Sequence, residues 1–508
     1  MDPTLHNSWN AETPLLRIVV CLMAGIFVGD NVVFPLPLLP LFVGLVVVAL
    51  LSWRWAQVQS VLIALCFGVL GVLLINRQKV LLKVSWPQGE SGYEALVLSE
   101  PIEKPKTIAV DLVLTESGRK IKAYIHKDER SRDLHVGDGL RFRSVIKEND
   151  DWQSGKFDYR RYLEVHGFAG NTYIRSQNWQ KADITLRSLS RLERSRIFFL
   201  KQRSCLLKRF KSQGLDGDEY AIVAAMALGD KTALSHELKD VYAETGASHI
   251  LALSGLHLGI IYVLLTLFIA RRRWRTLAQV LTVICIWAFV FLVGMSVSVV
   301  RSAIMLTIYA LLSLGHRDRM SVNVLAFTAI VMLCWNPLSL FDIGFQLSFM
   351  SVFSILLFTP LFMQCSTLFI PSGTQNYLAK SVRATILDRI SSWIWGMAAV
   401  SLAAQIGVAP LIAYYFGRFS PCFLLTNFIV VPAATLILYL SLVILLVPSL
   451  SFLLIYTVGA LNAIMIHIDS LPMCSIDGLH PSVVQVVFVY VVIGAAYLIL
   501  KRYKAHLK

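Results

Sequence analysis

VQSVLIALCFGVLGVLLI, residues 58–75, runs for eighteen residues without a charged side chain and stops at Asn76-Arg77-Gln78-Lys79. As a helix it would be about 27 Å long, close to the hydrocarbon thickness that roughly 20 apolar residues cross. From Asn76 to about Asp183 the character changes, and no run there could cross a membrane. Short alternating segments bounded by turn residues take over. The boundary at Asn76 separates a part built for lipid from a part built for water.

Working outward, apolar runs recur at Leu15–Val33, Leu36–Trp53 and Val58–Ile75, and beyond the polar stretch at His249–Ala270, Leu277–Gly294, Val297–Leu314, Met320–Trp335, Phe345–Met363, Ser391–Phe416, Pro421–Leu446, Ser451–His467 and Pro481–Leu500. Twelve spans are expected, with Pro432 as a break in the long run from Pro421. Composition agrees: the 508 residues are 56% hydrophobic and 16% charged, against about 25% charged in soluble domains. One large soluble domain is thereby excluded. A polar stretch through Thr13 leads straight into Leu15–Val33, which reads as a retained span rather than a cleaved signal. The eight cysteines include no CxxC pair and mostly lie in apolar runs, so neither a zinc site nor a disulfide framework is expected.

The polar stretch reads as strands at Tyr93–Leu98, Ile108–Leu114, Lys120–His126, Gly139–Ile146 and Gly170–Ile174, with a helix at Asp158–Val165. Ser117-Gly118 and Gly137-Asp138-Gly139 supply turns. Five short strands and one helix suit a small Greek-key barrel of the OB type. Next, Leu186–Lys211 holds nine Lys/Arg (Arg187, Arg191, Arg194, Arg196, Lys201, Arg203, Lys208, Arg209, Lys211) against Glu193 alone. Leu189, Leu192, Phe199, Leu206 and Phe210 recur at helical spacing, giving a basic amphipathic helix. Such a helix suits an anionic membrane surface or, second, a nucleic acid. The organisation is then a three-span segment over 1–76, the β domain over 77–185, the basic connector over 186–215 and a nine-span region over 216–508.

Lysine and arginine in short loops set orientation. Arg271-Arg272-Arg273-Trp274-Arg275, His316-Arg317-Asp318-Arg319, Lys380, Arg383 and Arg389, and Lys501-Arg502-Tyr503-Lys504 fall on one side. The alternate loops, around Asn336–Asp342 and Asp469–His480, contain no Lys or Arg. The C-terminus is therefore expected in the cytoplasm and the β domain outside. Nine cations outside run against the usual bias and point to an external polyanion.

Specific residues carry a resemblance. Ala227-Leu228-Gly229-Asp230-Lys231 is followed by Glu244-Thr245-Gly246-Ala247-Ser248-His249-Ile250-Leu251-Ala252-Leu253-Ser254-Gly255-Leu256-His257-Leu258-Gly259. This resembles the "LGD … TG.SH.LA.SGLH.G" signature of the ComEC family of DNA-uptake (competence) channel proteins. "SVVRSAIM" around Arg301, "NPLSLFDIGFQLSF" from Asn336, "YYFGRFSP…TNFIVVPA" from Tyr414 and "SGKFDYRRYLEVHG" from Ser154 extend it over nearly the whole chain. The resemblance implies a plasma (inner) membrane channel importing single-stranded DNA during natural transformation. It also implies an envelope DNA receptor outside and a helicase-like ATPase inside as partners, with a homo-oligomer possible. The metallo-β-lactamase-like domain of many members has no counterpart before Lys508, so no nuclease activity is expected, and no cofactor or metal.

For a polyanion crossing a low-dielectric slab, a path needs small residues and polar groups turned away from lipid. Candidates are His249, Ser254, Gly255, His257, Arg301, Asp342, Gln346, Gln405 and Asn427. Helix capping and interhelical hydrogen bonding are their structural alternatives, and for Arg301 the alternatives are snorkelling or pairing with Asp342. External DNA contacts are expected at Arg119, Lys120, Lys122, Tyr124, Arg141 and Arg143, with Lys127, Trp152, Phe157 and Tyr159 nearby. On the helix they are expected at Arg191, Arg194, Lys201, Arg203 and Lys208. Single-strand binders combine such a positive groove with aromatic platforms. From Arg77 to Leu186 the net charge is only +3, against +8 for the helix that follows, which makes the helix the better electrostatic candidate. No Walker-type loop is present. A secondary transporter of an anionic metabolite or lipid, or a non-enzymatic assembly platform, are the rival readings.

Overall fold

The structure, a computed structural model, describes residues 13–32, 37–149, 153–154, 157–184, 189–269, 275–314, 321–369 and 382–506. Trp152, Arg187, Lys380 and the basic loops at 271–274 and 316–319 lie outside the described residues, as does the side chain of Phe157. Seven helices are long and apolar enough to cross a membrane: Pro14–Asn31, Ala56–Leu82, Ile343–Gln364, Arg389–Phe416, Phe423–Ile444, Pro448–Asp469 and Val483–Tyr503. Five shorter apolar helices are Leu38–Leu51, Gly255–Thr266, Thr276–Leu292, Val297–Leu312 and Val322–Trp335. The chain is thus mostly helical, with one mixed sheet. Phe423–Ile444 runs through Pro432 without a break.

Two compact units divide the described residues, one within 1–207 and 262–345, the other within 208–261 and 346–508. In the first, Pro14–Asn31 packs on Ala56–Leu82 backbone to backbone. A Cβ at Gly25 would stand 1.9 Å from the Gly68 carbonyl oxygen, and one at Gly71 would stand 2.5 Å from that of Leu22. Only glycine permits that approach.

The sheet of this unit comprises β1 (Ser91–Val97), β2 (Ile102–Glu103), β3 (Thr107–Leu114), β4 (Lys120–His126), β5 (Gly139–Ser144), β6 (Ile146–Lys147), β9 (Phe168–Ile174) and β10 (Trp179–Ala182); β7 (Gln153–Ser154) and β8 (Phe157–Asp158) form a separate pair. The ladder runs β10-β5-β1-β3-β4-β9-β6, with β2 paired to β3. All pairs are antiparallel except β4 with β9. As hydrogen-bonded, the ladder is an open path rather than a closed barrel. Alternation decides which face is inside: Ile121, Ala123 and Ile125 of β4 are fully buried, while Lys120, Lys122 and Tyr124 face the other way. The core joins them to Val110, Leu112, Leu140, Phe142 and Ile174.

The helix Tyr159–Val165 fixes the sheet to its membrane helices. Asp158 accepts a hydrogen bond from the Arg161 N–H at its N-terminus. The Arg161 guanidinium forks onto Asp30, at 3.3 and 2.5 Å, and lies 4.0 Å from the Phe341 ring. Lys79 reaches the same Asp30 at 2.9 Å, and Asn336 Nδ2 donates to the Val165 carbonyl at 3.0 Å. The ends of Pro14–Asn31 and Ala56–Leu82 and the turn 337–341 are therefore on the sheet's side of this unit.

Arg191–Ser212 is the basic helix. Its Ile197 and Leu200 pack with Leu96, Leu98, Val113 and Val136 of the sheet region. Phe199 stacks on Phe291 with centroids 5.6 Å apart. Of the expected apolar residues Leu189 and Phe210 are buried and Phe199 makes the ring contact, while Leu192 is 43% exposed; Ile197, Leu200 and Leu207 are buried as well.

In the second unit, Gly217–Leu228 is buried continuously from Tyr220 to Leu228. It ends at Gly229, whose φ of 72° is a left-handed cap that favours glycine. His236–Glu244 follows, and its Tyr242 hydroxyl donates to Asn462 Oδ1 at 2.9 Å inside the unit. The strands Arg418–Phe419 and Ile476–Asp477 pair across the ends of their helices.

Candidate functional site: a broken helix and its polar neighbours

The run expected as one span from His249 is two helices. Ser248–Leu251 stops at Ala252, whose ψ of 124° is extended, and Gly255–Ile269 begins three residues later. The reason lies in the local chemistry. Ser254 and His257 occupy the cap and third positions of the second helix, where a side-chain acceptor three residues on can satisfy the cap's own N–H. The Ser254 N–H donates to His257 Nδ1 at 3.3 Å, and the Ser254 hydroxyl lies 3.2 Å from the same nitrogen. A ring nitrogen that accepts a backbone N–H carries no proton. The imidazole is then the tautomer with hydrogen on Nε2. His257 is fully buried, and its Nε2 has no partner among the described residues. A buried donor left unmatched costs roughly 1–3 kcal/mol, so this atom marks a place built for something other than local packing.

The motif residues around it have separate tasks. Asp230 Oδ1 accepts from the Thr232 N–H at 3.1 Å and hydroxyl at 2.9 Å, closing the turn after Gly229. Gly246 has a φ of 80°, and a Cβ there would lie 3.2 Å from the Ser420 side chain. His249 is exposed, with Nδ1 3.2 Å from the Gly246 carbonyl oxygen. Ser254 and His257 are brought together by a hydrogen bond, while that of His249 goes to the Gly246 carbonyl.

Other candidates pair locally. The Tyr415 hydroxyl donates to Gln346 Oε1 at 2.7 Å. Asn427 Nδ2 donates to Ser401 Oγ at 3.3 Å, and its Oδ1 is buried with no partner among the described residues. Gln405 is one turn on from Ser401 in the same helix, half-buried. In the first unit, Arg301 is 5% exposed within Val297–Leu314. Asp342 accepts from the Phe345 N–H at 2.9 Å and stands 3.9 Å from His166 Nε2. Sequence reasoning missed Tyr415, Ser401, Tyr242 with Asn462, and Asp30 with Arg161. Asn462 inside an apolar run, like Asn427, was the signal for one of them.

On the sheet the expected DNA contacts are largely engaged. Lys122 meets Asp111 at 2.5 Å, Arg141 meets Glu94 at 2.5 Å, and Lys127 pairs with Glu103. That Lys127 ammonium holds the Glu103 carboxyl below its usual range. Arg119 donates to the Leu81 carbonyl. The Tyr124 and Tyr159 hydroxyls share a hydrogen bond of 2.5 Å, and burial, then that bond, pushes the Tyr159 phenol up. Arg143 is exposed, and Lys120 is half-buried. On the helix Arg191, Lys201 and Lys208 are exposed; Arg194 is exposed with its Nε on the Leu189 carbonyl, and Arg203 is buried.

Fold and site define a multi-pass membrane protein with a mixed sheet and a broken helix carrying its most distinctive motif. A family model described as "Competence protein" matches residues 226–503. The chain is 29% identical over 286 residues to ComE operon protein 3 of Bacillus subtilis (strain 168), covering 55% of this chain and 32% of that protein. It is 33% identical over 156 residues to an uncharacterized protein of Aquifex aeolicus (strain VF5), covering 30% of this chain and 37% of the relative. These matches span about a third of the length of either relative. No solved structure matches. The chain belongs to the ComEC family of competence proteins.

Proposed function

We propose that this chain is an inner-membrane conduit through which single-stranded DNA enters the cytoplasm, by twelve crossings, without enzymatic activity of its own. The observation that carries the reading is the fully buried His257 at the helix break, with Nε2 unmatched. Broken helices with polar groups turned inward are how membrane proteins line a hydrated path. The sheet is read as an OB-like domain outside. Two features support this: its one parallel pair, β4 with β9, and the fact that only Val145 separates β5, next to β1, from β6, next to β9. The outward placement rests on the turn 337–341, which lacks Lys and Arg and lies on the sheet's side of its unit. An envelope receptor and a cytosolic helicase-like ATPase are the partners this reading requires.

The test uses a transformable host and labelled duplex DNA. Deleting the gene should hold label outside the inner membrane, and wild type should restore cytosolic entry. His257→Asn keeps an acceptor for the Ser254 N–H where Nδ1 stands, but its shorter amide does not reach the Nε2 position, and it should cut entry about tenfold, the worth of one hydrogen bond of roughly 1.4 kcal/mol. Full entry with His257→Asn would reduce the residue to a helix cap. Normal entry in the deletion strain would overturn the conduit and favour a transporter.

A further inference from the structure

Arg196 and Arg203, seven residues apart, share one face of the basic helix, and Lys120 approaches that face from the sheet. In the β3–β4 register Lys120 stands opposite Val113, which packs with Ile197 and Leu200. Arg203 is 8% exposed, and the Nε atoms of both arginines are buried without a hydrogen-bond partner. None of the three cations forms an ion pair among the described residues. Glu193 and Asp111 act on Lys120 and Arg196 from a distance without closing an ion pair: Glu193 accepts from the Ser190 hydroxyl at 2.8 Å, and Asp111 pairs with Lys122 at 2.5 Å. Burial, and next the Arg196 charge, pushes the Lys120 ammonium pKa down. Burial pushes Arg196 down too, with Asp111 opposing and Arg203 adding to the fall. Three enclosed cations with no carboxylate in direct contact are costly as they stand.

We propose that Lys120, Arg196 and Arg203 bind the phosphate of an anionic lipid headgroup. A guanidinium fork is matched to phosphate oxygens, and the location selects lipid as the source. Arg203 Nη1 lies 3.6 Å from where a Cβ on Gly294 would stand, two residues past the apolar helix Arg275–Leu292. That helix exposes Leu277, Val280, Leu281 and Ile284 in its first half, a lipid-facing stripe in a membrane protein, and its 18 residues, about 27 Å long, carry the chain to the opposite headgroup level at its end. A nucleic-acid strand needs an open groove, whereas both Nε atoms and nearly all of Arg203 are buried. The site is independent of the conduit reading and rests on the membrane placement alone.

The test is native mass spectrometry and thermal unfolding of the full chain in detergent, with phosphatidylglycerol, phosphatidylcholine, inorganic phosphate or an oligo-dT as separate additions. Phosphatidylglycerol should be retained and raise the melting temperature, while phosphatidylcholine should do neither. Arg196→Gln with Arg203→Gln should weaken retention about tenfold or more, as expected for loss of charge-assisted hydrogen bonds. Lys120→Met, on the sheet side, should weaken it too and raise the melting temperature in phosphatidylcholine alone. It carries the decision if the double variant does not purify as a monodisperse protein. Equal retention of the two lipids, or unchanged phosphatidylglycerol retention in these variants, would overturn the proposal. Millimolar phosphate reproducing the whole shift would assign the site to free phosphate, and oligo-dT displacing the lipid would assign it to DNA.

Discussion

On the sheet Lys122 meets Asp111, Arg141 meets Glu94 and Lys181 meets Asp133, all within 2.9 Å; on the basic helix Arg196 and Arg203 meet no carboxylate among the described residues. Two further helix cations are spent on carbonyl oxygens, Arg194 on Leu189 and Arg209 on Leu445, at 3.1 and 2.7 Å. Net charge therefore misstates what each region offers a polyanion. The sheet's modest excess is mostly neutralised in place. The helix's large excess divides into exposed cations, Arg194 and Arg209 among them, and an enclosed cluster, and only the exposed ones can meet DNA in solution.

The comparison can be broken at the scaffold. Leu112→Ala empties the sheet core on the face opposite Val113 and the helix, and should cost about 2–5 kcal/mol, read as a lower melting temperature of the full chain. Unchanged melting would mean the sheet does not hold the paired cations in place. A smaller effect isolates the pairing itself. Asp111→Asn leaves the half-buried Lys122 without its counter-charge and should cost about 1–3 kcal/mol, whereas Arg141→Gln on its exposed pair should move stability by about 0–1 kcal/mol. Equal losses would erase the distinction between them.

Binding sharpens the contrast further. Replacing Arg191, Lys201 and Lys208 with Gln should lower the log–log salt slope for single-stranded DNA by about 2, at roughly 0.7 per cation. Arg141→Gln should leave it unchanged, and the reverse pattern would put DNA on the sheet. The smallest effect is a pH dependence. The Lys120 pKa is depressed in the fold, so the unfolded chain binds more protons between that depressed value and 10.5, and stability should rise with pH across that window. Melting curves of wild type and Lys120→Met should diverge there; parallel curves would deny the burial.

Much of the fold was legible because its periods are unambiguous. Strand β4 was read over its full length from Lys120 to His126, and the helix before β9 lies where Asp158 caps it. The break between Leu251 and Gly255 was less legible, since an apolar run with serine and glycine fits either a continuous or a divided helix. The hydrogen bond from Ser254 to His257 decides it, and three-residue spacing hints at that bond without fixing it. Apolar length also misleads where helices are short. Leu38–Leu51 has fourteen residues, about 21 Å at 1.5 Å each, in a run that reads as longer. The partners of buried polar groups were beyond reach, because Asp30 and Arg161 are joined only by tertiary packing.

Val145 alone stands between β5, which pairs with β1, and β6, which pairs with β9. During synthesis β5 finds its partner already made, while β6 waits for the 27 residues from Glu148 to Ile174 to emerge. At roughly 5–20 residues per second that wait lasts about 1–5 s. Throughout it, β4 and β6 present open backbone edges to whatever else is nearby. One valine thus sets a window in the birth of the protein when a chaperone has the most to do.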